Sequence, residues 1–185
     1  MLQTFACFWL LLIRSNLIAL LRTALLLFSV SFIWQTSNAQ VNEGNEVRVV
    51  NYDQIEPYLL KSNDTIYLVN FWATWCAPCI KELPAIEAVE QKYANQKFKV
   101  LLVSLDFPKD LTSRLEPFIK SKNITSDVFL LNDPNQNRWI DKVDPNWSGE
   151  IPFTLIYGKH FRESYPQTFT YEELDSIINL KLNSQ

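Results

Sequence analysis

The sequence predicts an α/β domain in which a mixed central β-sheet carries helices on both faces. Three observations point there. Short runs rich in β-branched and aromatic residues alternate with amphipathic segments along most of the chain, the order expected of sheet strands joined by crossover helices. The run Ile66 to Phe71 lacks the polar alternation of a half-exposed strand, as suits a strand buried on both faces. Near the end, two strand-like runs are separated by a turn instead of a helix, which adds an antiparallel pair and makes the sheet mixed.

Taken in order, Val47 to Val50 is a short apolar run that reads as a small edge strand after a polar lead-in. Tyr52 to Leu60 places Ile55, Leu59 and Leu60 on one helical face, with Pro57 expected in its first turn. Ile66 to Phe71 is the expected sheet centre. From Pro78 to Asn95, Ile80, Leu83, Ile86, Val89 and Tyr93 recur at three- and four-residue spacing, with Glu87, Glu90 and Lys92 among the polar residues between them. Pro84 should kink this helix without ending it, because the spacing continues beyond it. Phe98 to Leu105 is a second buried strand, Asp106 to Lys109 a turn, and Leu111 to Lys120 a helix. Asp127 to Leu131 supplies another strand, Pro134 to Val143 a helix, and Pro152 to Tyr157 a strand opened by proline. Gly158 and Lys159 are expected to turn the chain into a last strand over Phe161 to Ser164. Leu174, Ile177, Ile178 and Leu182 then define a closing helix over Tyr171 to Leu182.

The 185 residues suffice for a leader and one domain. Residues 1–39 hold Arg14, Arg22 and no acids. Their apolar stretches end in polar Gln35 to Asn38, and the last one, Ala24 to Trp34, has the length of a signal-peptide core and is short for a span of about 20 residues. Small residues at Ser37 and Ala39 place cleavage after Ala39, giving a signal peptide over 1–39 and a domain over 40–185; the alternative is an uncleaved N-terminal anchor. The expected setting is therefore export to the periplasm, where disulfides persist. Cys7 leaves with the leader. The net charge of −3 offers no basic excess for nucleic acid, and the expected partners exclude it.

Two cysteines remain, in the run Cys76, Ala77, Pro78, Cys79 directly behind the central strand. At a strand-to-helix junction the first sulfur meets the unpaired amides and positive dipole end of the helix, which stabilise a thiolate. Cys79, one turn on, can resolve a mixed disulfide formed at Cys76. A structural bridge over so short a loop would restrain the unfolded chain little. Glu82, a further turn along the same face, is a candidate to exchange a proton with Cys79.

The run Phe71, Trp72, Ala73, Thr74, Trp75, Cys76, Ala77, Pro78, Cys79 resembles the active-site segment of the thioredoxin superfamily. Pro84 stands where that family kinks its active-site helix, and Ile151-Pro152 where it carries a cis-proline loop. Asn70 and Glu82 are similar to the TlpA/ResA-like branch of exported thiol-disulfide oxidoreductases, with Glu82 replacing an Asp that classical members carry at the position of Asn70. The resemblance covers residues 45 to 182 and implies a thioredoxin-like fold and a set of roles: Cys76, Cys79 and Glu82 catalytic; Trp75, Ile151 and Pro152 against the substrate; Ala77 and Pro78 tuning the redox pair. It implies reduction of protein disulfides, with cytochrome c maturation as a pathway, a thiol electron donor that can be membrane-embedded, a monomer, and no cofactor beyond the Cys76-Cys79 pair. The segment 110–122 would be a branch-specific insertion.

Other chemistries are compatible with the same residues. The same dithiol serves a disulfide oxidase if its potential is high. A copper chaperone would use both thiolates, but His160 is the sole imidazole and falls at the hairpin turn. A peroxidase would need a Thr- and Arg-assisted cysteine. Trp139 and Trp147 are either packing groups or walls of a groove near the proline loop. Asp106 and Asp133 read as caps or turns.

Overall fold

A computed structural model describes residues 46–184, a single unit. The expected leader, its cleavage point and Cys7 lie outside the described residues. Six strands form one sheet in the order β1-β4-β3-β2-β5-β6: β1 Arg48–Val50, β2 Ile66–Trp72, β3 Phe98–Ser104, β4 Asp127–Leu131, β5 Phe153–Gly158 and β6 Phe161–Tyr165. Strands β1 to β4 pair in parallel; β5 runs antiparallel to β2, and β6 antiparallel to β5. The mixed α/β sheet expected from the sequence is therefore present, with β2 at its centre.

Every residue of β2 is buried, and its side chains alternate between two cores. Tyr67, Val69 and Phe71 face one core with helix α1 (Tyr52–Leu59) and helix α4 (Gln136–Val143). Ile66, Leu68 and Trp72 face the other, with helix α2 (Ala77–Lys92) and helix α5 (Tyr171–Asn183). Asn70 shares the parity of this second set, so the one polar side chain of the strand points toward α2. Both α1 and α5 begin with reciprocal caps, Asn51 with Gln54 and Thr170 with Glu173, which satisfy amides at the helix start. Arg162 on β6 donates to the carbonyls of Leu59 and Val143, at the ends of α1 and α4.

Several local expectations are corrected. Leu60 lies beyond the end of α1 and is exposed, because the helix closes at Leu59. Pro57 sits past the first turn of α1, where its missing N–H forfeits one hydrogen bond of an eight-residue helix. The hairpin turn is Lys159-His160: Gly158 still pairs with Phe161, and a Cβ at Gly158 would approach the Phe161 ring to 2.7 Å. His160 is exposed in that turn. The segment expected as one helix over Leu111 to Lys120 starts at Pro108 and changes pitch, from a 3-10 turn (Pro108–Asp110) through a π-helical turn (Leu111–Leu115) to helix α3 (Glu116–Ser121). Glu87 is not a solvent-facing residue of α2. It is buried and accepts from Thr125 and Ser126 at the head of β4, fastening the helix to the sheet.

Candidate active site

Strand β2 ends at Trp72, and the chain turns through Ala73 and Thr74 into α2, whose N-cap is Cys76. This turn is anchored from β3. Leu105 N–H donates to the Trp72 carbonyl at 2.8 Å. Asp106 accepts from Thr74 N–H at 3.0 Å, from the Thr74 hydroxyl at 2.5 Å and from the Ser104 hydroxyl at 2.8 Å. Asp106 is 3% exposed. The expectation of a simple cap or turn understates it: it fixes the residue two before Cys76.

Cys76 and Cys79 are joined by a disulfide. The Cys79 N–H points at Cys76 Sγ, 3.3 Å away, so a first-turn amide of α2 already faces the sulfur expected to attack. Cys76 is 6% exposed and Cys79 fully buried, so of the two sulfur-bearing residues only Cys76 keeps any contact with solvent. Trp75 beside it is 52% exposed. Ala77 and Pro78, between the cysteines, form the exposed first turn of α2.

The Ile151-Pro152 peptide is cis, and the Ile151 carbonyl lies 3.8 Å from Cys76 Sγ. Ile151 and Pro152, about 75 residues away in sequence, are thus brought to the cysteine. Phe153 turns away from this edge and stacks on Trp147 at 4.3 Å. Trp147 and Trp139 are 3% and 2% exposed, within an aromatic cluster that includes Phe71. They are packing groups, and the groove-wall alternative is set aside. The Trp147 Nε1 donor reaches the Glu150 carbonyl at 2.7 Å, which ties the cluster to the residue before Ile151.

Glu82 is 1% exposed and faces inward from α2. Its Oε1 accepts from Asn70 Nδ2 at 2.8 Å, and its Oε2 from Phe169 N–H at 2.9 Å. Burial holds its carboxyl above the ordinary range, and the Phe169 and Asn70 donors pull in the opposite direction. Glu82 therefore does not face solvent. Asn70 also donates to Thr154 Oγ1 at 2.9 Å. Its own Oδ1, together with Trp72 Nε1, makes up the buried side-chain polar atoms with no partner among the described residues, and both belong to the strand leading to Cys76.

Sequence reasoning missed Asp106 as an anchor and Thr154 and Phe169 as members of the Glu82 environment. Asp106 carried a weak signal, a carboxylate just past a buried strand. Phe169 acts through its backbone, which no residue type announces. Among the described residues no group of His, Cys, Asp and Glu is placed to hold a metal ion.

The chain is 39% identical over 109 residues to the thiol-disulfide oxidoreductase ResA of Geobacillus kaustophilus, covering 58% of each protein. It is 28% identical over 88 residues to the sporulation thiol-disulfide oxidoreductase A of Bacillus subtilis, covering 48% of this chain and 47% of that protein. The chain spans about half the length of the curated relatives it matches. Among solved structures, a thioredoxin-related protein from Neisseria meningitidis serogroup B superposes with a TM-score of 0.55 at 23% identity, over 68% of this chain and 89% of that one, and shows the fold to be thioredoxin-like. The model of the AhpC/TSA family matches residues 40–160, and the chain belongs to that thioredoxin-like family.

Proposed function

We propose that this protein is an exported thiol-disulfide oxidoreductase that reduces protein disulfides through Cys76 and Cys79. The observation that carries the reading is the disulfide at the N-terminus of α2, with the Cys79 amide and the Ile151 carbonyl both at Cys76 Sγ. The relatives named thiol-disulfide oxidoreductases support the same class.

In the reduced protein the Cys76 thiolate, stabilised by the Cys79 N–H and the helix N-terminus, attacks one sulfur of the substrate disulfide. A bond forms between Cys76 and that sulfur, and the other substrate sulfur leaves as a thiolate. Cys79 gives its proton to Glu82 and attacks Cys76 Sγ, which re-forms the Cys76-Cys79 bond and releases the second substrate thiolate. Two electrons pass from the protein to the substrate, and a thiol donor must return two to open the Cys76-Cys79 bond. Trp75 and the Ile151 carbonyl flank the attacked sulfur, where an extended substrate segment can pair with backbone and cover an aromatic face. Ala77 and Pro78 tune the pair by shaping the first turn, and no cofactor is required.

Residues 1–39 support export, with a periplasmic working site and, if the leader is retained, attachment to the membrane. Among the described residues no helix is long and apolar enough to cross one. We place the substrate in cytochrome c maturation, the donor among membrane thiol carriers and the protein as a monomer. The test is turnover of a protein disulfide by the reduced protein. Cys76→Ser should abolish it; persistence would refute the reading. Net oxidation of reduced substrate in preference to reduction would assign the oxidase instead.

A further inference from the structure

Asn70 is a costly choice for its position. It is fully buried in the central strand, both of its N–H groups are spent on Glu82 Oε1 and Thr154 Oγ1, and its carbonyl oxygen has no partner among the described residues. A residue kept for packing alone would not need that unpaired acceptor; an apolar side chain would fill the space without it. What only a neutral amide supplies here is a donor aimed at a carboxylate. An Asp of the same shape would set a second carboxyl against Glu82, and one of the two would be forced to hold a proton.

We propose that Asn70 is a positioning residue for Glu82: its N–H holds Oε1 of that carboxyl in place and sets the pH at which Glu82 takes the proton of Cys79. This rests on the reading that Glu82 serves the exchange. The surroundings leave few rivals for the role. From the segment before α5 the Phe169 N–H holds the other oxygen, and from β5 Thr154 faces Asn70. Tyr165 packs its ring on Phe169 but directs its hydroxyl to Glu163. Lys81 and Tyr171 line the groove outside Phe169, and Cys79 precedes Glu82 on its own helix by three residues. The influences on Glu82 are burial, Phe169 and Asn70, with no charged neighbour among them. Of the two donors, the backbone one is independent of residue type, so Asn70 is the one that sequence can set.

The proton balance follows. With Glu82 ionised, the Asn70 N–H stabilises the carboxylate that receives the Cys79 proton. Remove that donor and the carboxylate is less stable, so Glu82 holds its proton to higher pH and the exchange needs a higher pH to start.

The test is the pH dependence of disulfide reduction by the full chain, with a small aromatic disulfide as substrate, for wild type, Asn70→Ala, Asn70→Asp, Glu82→Gln and the Asn70→Ala, Glu82→Gln pair. Asn70→Ala and Asn70→Asp should both move the acidic inflection upward, and in the Glu82→Gln background Asn70→Ala should not move it. An inflection that stays fixed in both folded variants, or that moves equally without Glu82, overturns the proposal. If Glu82→Gln itself leaves the profile unchanged, the role of Glu82 falls and this inference with it; if only the Asn70 variants do, Glu82 keeps its role. Wild type provides a fold-independent arm: the Asn70 side-chain amide nitrogen signal in NMR should titrate with the midpoint of the Glu82 carboxyl carbon, and a flat signal contradicts the account.

Discussion

Truncating Asp106 should unfasten the loop that presents Cys76. Its carboxylate accepts three hydrogen bonds, from the Thr74 amide, the Thr74 hydroxyl and the Ser104 hydroxyl, at 3.0, 2.5 and 2.8 Å, in a site with 3% exposure. A hydrogen bond to a charged group contributes about 1.5–3 kcal/mol. In Asp106→Ala the two hydroxyls can rotate toward other acceptors, so most of the loss comes from the Thr74 amide left buried without a partner and from the small cavity. We expect a loss of about 3 kcal/mol, equivalent to about 10 °C in Tm for a domain of this size. Asp106→Asn keeps one oxygen and donates from the other position to the Thr74 hydroxyl, so its cost should be about 1 kcal/mol. Urea unfolding of the oxidised protein measures both, with the m-value checking that the unfolded reference has not changed. Exchange at Cys76 should slow in Asp106→Ala more than in Asp106→Asn, because Thr74 sets the approach to the cysteine. A folded Asp106→Ala variant within about 0.5 kcal/mol of wild type would refute the reasoning, since surface-like tolerance is incompatible with a buried three-bond acceptor.

Because burial raises the folded-state pKa of Glu82 above the ordinary 4.5, the folded protein binds the proton more tightly than the unfolded chain; the stability difference between wild type and Glu82→Gln should be greatest below pH 4.5 and decline as pH rises through the folded value, and a flat or rising difference in pH-dependent urea melts would contradict it. Trp147→Ala should cost about 3–5 kcal/mol, as expected for a buried aromatic stacked on Phe153, while leaving the exchange rate per folded molecule within about threefold; a large rise in substrate KM with normal stability would restore the groove-wall role.

The fold and the pairing of the two cysteines were legible because they are written in side-chain type and spacing. An unbroken apolar run marks β2 as central, Cys76 and Cys79 stand immediately behind it, and the period of three to four residues marks α2. Glu82 was legible as a candidate proton partner, since it lies a turn beyond Cys79 on the same face, and the structure buries it there. What escaped belongs to contacts between distant segments. The Phe169 amide that holds Glu82 and the Asp106 carboxylate that holds Thr74 come from β-strand ends and loops whose approach depends on the completed sheet. Burial of Glu87 has the same origin: its helical position reads as polar, and only the arrival of Thr125 and Ser126 turns it into a tether. Trp139 and Trp147 show the reverse case, in which a residue type suited to recognition is drawn into the core by neighbouring aromatics. The hairpin moved by one residue because Phe161 packs over Gly158, so the glycine serves a close approach within the pair and the turn itself falls to Lys159 and His160.

The central claim is that Cys76 is the sulfur that attacks and Cys79 the one that resolves. Expressing the full chain with Cys79→Ser, quenching thiols with acid and identifying disulfide-linked species by mass spectrometry tests it directly. The account predicts a substrate protein joined to Cys76, released by reductant and absent from Cys76→Ser. Accumulation of the linked species through Cys79 in a Cys76→Ser chain, with none through Cys76, would contradict it.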